Sequence, residues 1–139
     1  MSGETSLSKL LSSMKPSLSD ERFVFITSKT KPGDLVPMQP WALISEDEGM
    51  TLIIEKRKAD SGKLSYQSVF RRITLTVHSS LEAVGLTAAV STKLAEHAIS
   101  ANVVAAFFHD HIFVPEGKAE QAMKALEELA KENAAIKGA

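Results

Sequence analysis

Residues 102–115 read NVVAAFFHDHIFVP. Two apolar runs, rich in β-branched and aromatic residues, flank His109-Asp110-His111. The pattern predicts two strands, SANVVAAFF and HIFVP, joined at His-Asp, since aspartate favours turns by bonding its own backbone. Pro115 and Glu116 suit the start of a helix. Proline needs no N–H partner there, and the carboxylate sits beside the positive end of the helix dipole. Ala119, Ala122, Met123, Leu126 and Leu129 continue that helix as its inward face. Upstream, Leu86, Val90, Leu94 and Ala98 recur every four residues, one face of a helix packed on something flat. Before it, VFRRITLTV (69–77) reads as a strand with Phe70, Ile73, Leu75 and Val77 as its apolar residues. The order from residue 69 is β-α-β-β-α, a split βαβ unit of the ferredoxin-like kind.

A ferredoxin-like unit closes with a fourth strand, but the closing segment ENAAIKGA is too small and polar to be one. The first half has the opposite surplus. TSLSKLLSSM (5–14) predicts a short helix from the spacing of Leu7, Leu10, Leu11 and Met14, with Pro16 as its stop. RFVFITS (22–28), WALIS (41–45) and MTLIIEK (50–56) read as strands, the last two joined by the acidic turn EDEG. TKPGDLVPMQP (30–40) is expected to be irregular loop. The polar RKADSGKLS (57–65) marks the boundary between an α-β-β-β half, residues 1–62, and a β-α-β-β-α half, residues 63–139. The economical solution is an α+β sandwich of two halves that share strands, each finishing the other's sheet.

Composition narrows the function. The chain has 139 residues, 44% of them apolar, and can bury a real core. A net charge of −1 lacks the basic excess of a nucleic-acid binder. Lys56-Arg57-Lys58 reads as a solvated loop, and Arg71-Arg72 straddles both faces of a strand. No cysteine is present, so disulfides, thiolate metal sites and thiol catalysis are excluded. No secretory signal or membrane-length apolar run is seen, so a soluble, cytoplasmic protein is expected, with no membrane partner. Neither G-x-S-x-G, a P-loop nor G-x-G-x-x-G occurs, so no catalytic residue or cofactor is assigned.

Strand, glycine-containing loop, helix and second strand run through FRRITLTVHSSLEAVGLTAAVSTKLAEHAISANVV (70–104), followed by HDHIFVPEGKAEQAMKALEEL (109–129). In that order they resemble the ACT domain, an amino-acid-sensing module of regulators of amino-acid metabolism. The chain looks like stand-alone bacterial ACT-like proteins with two ACT-like halves, and a related pair occurs in eukaryotic cytosolic arginine sensors. The resemblance is good over 69–131 and weaker over 7–56, where the helix comes first. It implies a ferredoxin-like βαββαβ fold and a non-enzymatic regulatory protein that binds an amino acid, forms a homodimer and acts on a protein partner. It also implies a ligand site at the loop His78–Leu86 and the start of the second strand. The residues it picks out are His78, Ser79, Glu82, Val84, Gly85, Leu86, Asn102 and Val103.

Read without the family, the same loop has two meanings. Free amides where a helix begins suit a carboxylate, and a missing side chain at Gly85 gives access to them. Ser79 and Glu82 equally fit a capping box that only starts the helix. His78, His109 and His111 also have competing readings. They form a hairpin tip, the lining of a ligand site, or the metal ligands of a small metal-dependent enzyme or carrier. The turn reading is preferred, with no metal ligand assigned, because residues flanking a tight turn need not point the same way. A purely structural dimerisation module is the remaining alternative.

Overall fold

The computed structural model describes residues 6–76 and 85–138, with side chains as far as residue 134. The chain divides into two compact units. One holds residues 1–19 and 72–139, the other residues 20–71.

The first unit begins with α1 (Leu7–Ser13). Leu10 and Leu11 are buried, as the helical spacing requires, and Met14 beyond the helix end is already extended ahead of Pro16. Strand β1 (Pro16–Ser28) starts six residues before RFVFITS, and its first four residues belong to this unit. The strands that follow are β4 (Phe70–Leu75), β5 (Asn102–Ala105) and β6 (Asp110–Pro115). The helices are α4 (Leu86–Glu96) and α5 (Ala119–Gly138). Hydrogen bonding orders the strands β1-β4-β6-β5. This is the ferredoxin-like arrangement, and the opening residues of β1 take the place of the closing strand that ENAAIKGA does not supply. The Thr76 N–H donates to the Lys15 carbonyl at 3.0 Å, tying that edge.

The core gathers Leu10, Leu11 and Met14 with Ile73, Leu75, Leu86, Val90, Leu94, Ile112, Val114 and Leu126. Each fully buried Leu, Ile or Val side chain there contributes about 1.5–3 kcal/mol by leaving water. Helices α1 and α4 both pack on α5. One charge goes in with them: Lys93 of α4 is buried, and its amine donates to Glu128 at 3.1 Å and to Glu132, both on α5. Those carboxylates raise the Lys93 pKa above its ordinary value.

Helix α4 ends two residues before the four-residue pattern does. Ala98, expected on the inward face, is exposed and left-handed at φ 57. Its N–H donates to the Ala95 carbonyl at 2.9 Å, and the Ile99 N–H reaches back to Leu94 at 3.0 Å. This pair of bonds is a Schellman cap built on alanine rather than glycine.

The second unit contains the rest of β1, then α2 (Pro32–Leu35), a 3-10 turn (Val36–Met38), β2 (Ala42–Glu46), β3 (Gly49–Glu55) and α3 (Lys56–Ser61). The order β2-β3-β1 is antiparallel throughout, with Phe23 opposite Glu55 and Leu43 opposite Leu52. Its core holds Val24, Ile26, Leu35, Met50, Leu52, Ile54 and Ala59. Two stretches read as loop are helical. Pro32 and Pro37 each fall in the first turn of their segment, where no N–H is required. Helix α3 buries Ala59 and carries a Lys56–Asp60 pair at 2.8 Å, one turn apart. The β2–β3 turn needs its glycine, because Gly49 has φ 147 and a Cβ there would meet the Ser28 carbonyl oxygen at 2.9 Å. Trp41 is half-buried, edge-on to Phe23 at 6.5 Å.

Candidate functional site

Of the loop singled out in the sequence, His78, Ser79, Glu82 and Val84 lie outside the described residues; Gly85, Leu86, Asn102 and Val103 lie within them. Gly85 is the residue from which α4 springs. Its φ is 96, a backbone conformation costly to any residue with a Cβ, and its carbonyl accepts the Ala89 N–H at 2.9 Å. A Cβ at this position would stand 3.1 Å from Cδ2 of Leu7 on α1. Gly85 therefore has a structural duty, the sharp entry to α4 under the Leu7 side chain, whatever else it does.

The neighbouring positions divide. Leu86 is buried among the core residues of the first unit, and half-buried Val103 packs against the same cluster. Asn102 turns the other way. It pairs across the hairpin with Phe113, and its side-chain amide donates to the Phe113 carbonyl at 3.3 Å. An exposed polar side chain at the head of β5 is thus available beside the backbone, while Leu86 and Val103 supply shape from below.

His111 sits on β6, while His109 closes the bend just before it. The bend falls at Phe107-Phe108, closed by the Ala106 N–H donating to the His109 carbonyl at 3.1 Å, and β6 starts at Asp110. Being two residues apart, His109 and His111 share a side, with ring centroids 6.4 Å apart. Nδ1 of His111 meets the Thr74 hydroxyl of β4 at 2.9 Å, and Nδ1 of His109 is buried without a hydrogen-bond partner. Burial lowers the His111 pKa, assisted by the charges of Arg72 and His109; burial raises that of Asp110, opposed by His109. Among the described residues no three His, Cys, Asp or Glu side chains come together as a metal would need. Thr74 and Arg72 are the neighbours that sequence reasoning missed. Alternation along β4 puts them on one side, away from Ile73 and Leu75, and that period was readable from FRRITL.

Two family models described as ACT domain match the chain, over residues 2–71 and 67–128. The chain belongs to the ACT-domain family. This ACT-domain protein is 52% identical to a protein of unknown function from Vibrio cholerae described as a possible transport protein, with a TM-score of 0.83; the match covers 89% of this chain and 95% of that one. An Agrobacterium tumefaciens protein shares the fold at 14% identity and TM-score 0.61, over 84% and 89% of the two chains. So does the regulatory subunit of aspartate kinase from Thermus thermophilus, at 10% identity and TM-score 0.62, over 84% and 96%. No curated protein matches the chain. Among the described residues, no helix is long and apolar enough to cross a membrane.

Proposed function

We propose that this protein is a cytoplasmic, non-enzymatic regulatory module that binds an amino acid and, as a homodimer, alters its association with a protein partner. The observation that carries the reading is the pair of ACT matches spanning nearly the whole chain, together with fold neighbours that include a regulatory subunit. The site is the region where α4 begins: the loop from His78, Gly85 with no side chain over the first amides, and the Asn102 side chain at the head of β5. The α-carboxylate goes to the amides, as anions do at helix starts. Glu82 or Ser79 meets the α-ammonium group, and Asn102 contributes one hydrogen bond. The two ACT halves are taken as residues 1–62 and 63–139.

A thermal-shift screen of the twenty amino acids against divalent metals tests this. A ligand at about 100 times its Kd adds about 2.7 kcal/mol of stability. Asn102→Ala should then weaken the responding amino acid by about 0.5–1.5 kcal/mol in calorimetric titration. Stabilisation by a metal alone, lost in His109→Ala, favours the metal reading; no response at all leaves a structural dimerisation module.

A further inference from the structure

The second unit has a concavity of its own, unrelated to the start of α4. Its volume is about 240 Å³, and Asp20, Glu21 and Arg22 of β1 line it with Glu55, Lys56, Arg57 and Asp60 from the β3–α3 junction. Antiparallel pairing brings these segments together, since Phe23 lies opposite Glu55. Most of the charges are already matched. Lys56 bonds Asp60 at 2.8 Å, and the Tyr66 hydroxyl donates to Asp60 at 2.6 Å. Glu55 holds Arg57 at 3.3 Å and Lys58 at 3.2 Å. Glu21 is also engaged. Among the described residues, the side chains of Asp20 and Arg22 have no hydrogen bond or ion pair; Arg22 reaches Asp60 only through its field.

One carboxylate and one guanidinium are therefore left over. Two residues apart on a strand, they share a face with Cα atoms about 7 Å apart. We propose that this cavity is a second ligand site, in which Arg22 takes the carboxylate and Asp20 the ammonium of a small zwitterion, an α-amino acid with a polar side chain. A guanidinium fork binds a carboxylate with two parallel hydrogen bonds, and a free carboxylate accepts from an ammonium at short range. The matched pairs make the rest of the wall nearly neutral, so a ligand of no net charge fits better than an anion or a cation. The volume is below that of sites for drug-sized molecules. Every lining residue is charged, which disfavours an aliphatic or aromatic side chain. The site is independent of the Gly85 reading.

Amide NMR of the whole chain tests it, with L-serine, L-asparagine and L-glutamine titrated separately and N-acetyl-L-glutamine and L-glutamine amide as forms lacking one charge. Saturable shifts at Asp20, Arg22, Lys56 and Asp60 are expected with at least one free amino acid and with neither derivative. Arg22→Ala and Asp20→Asn, both at exposed positions, should each raise that Kd about tenfold or more. Gly85→Val, or Asn102→Ala should the valine variant not fold, should leave it unchanged while abolishing or weakening any binding at α4. No saturable shift at the four residues, equal shifts with the derivatives, or an unchanged Kd in Arg22→Ala overturns the proposal without touching the Gly85 site.

Discussion

Replacing Gly85 by alanine isolates what the glycine does for the fold. At φ 96 the residue lies beyond the left-handed well that L-residues visit, so a methyl group there costs about 1–2 kcal/mol in backbone strain. The same methyl meets Cδ2 of Leu7 at 3.1 Å, a few tenths of an ångström too close. Leu7 is 37% exposed, so its side chain can swing away at little cost. Alanine also restricts the unfolded chain, which returns about 0.4–1 kcal/mol. The net loss should be about 1 kcal/mol, read from urea melts at constant m-value, with a Tm fall of about 3–5 °C. The cycle with Leu7→Ala separates strain from collision. Its coupling energy should stay below about 0.5 kcal/mol if the backbone carries the cost. A coupling above about 1 kcal/mol would show the Leu7 collision to dominate, and a Gly85→Ala variant more stable than wild type would refute the positive φ itself.

Other substitutions probe separate links. Ala98→Gly should stabilise by about 0.5–1 kcal/mol in the same melts, because glycine relieves the left-handed cap that alanine now occupies. A fragment starting at Lys63 should be insoluble or fail to melt cooperatively, since it lacks Leu10, Leu11 and Met14 of its core; a soluble, cooperative fragment in sedimentation and calorimetry contradicts this. His111 has a lowered pKa, so the unfolded chain takes up its proton first as pH falls through 6.5, and stability declines there. Asp110 works in the opposite sense, because its raised pKa lets the native state bind a proton before the unfolded one as pH approaches 3.8. Urea melts above and below pH 6.5 should show the His111 slope in wild type and lose it in His111→Gln.

The sequence carried most of the first unit. Leu86, Val90 and Leu94 are buried as their spacing requires, as are Ile73, Leu75 and Leu126. The bulky apolar residues of 102–115 formed the expected pair of strands, though its bend lies at Phe107-Phe108, because nothing local makes two phenylalanines look like a turn. The end of α4 was hidden for a similar reason: its left-handed residue is Ala98, where a glycine would have announced it. Prolines misled in the other direction at 30–40, where they begin helical turns rather than forbid them. Strand β1 reaches back through PSLSDE, whose polar residues show no alternation, since its partner across the ladder comes from some sixty residues downstream. Lys93 could not be recognised as buried because its two carboxylates lie on another helix. The candidate loop was legible as a glycine before a helix, and the left-over pair Asp20 and Arg22 was not, since only the pairing of β1 with β3 shows which neighbouring charges are already neutralised.

The first unit is assembled from both ends of the chain, residues 1–19 and 72–139, with residues 20–71 inserted between. During synthesis, then, residues 1–19 emerge well before 72–139, the partners they need. Helix α1 has to wait for α5, more than a hundred residues later, with Leu10, Leu11 and Met14 exposed in the meantime. Contacts so distant in sequence slow folding, and apolar surface that waits for them is where nascent chains stick to one another. Residues 20–71 face no such delay, because every strand of that unit is local. On the ribosome residues 20–71 can be finished while residues 1–19, made before them, are still unfolded.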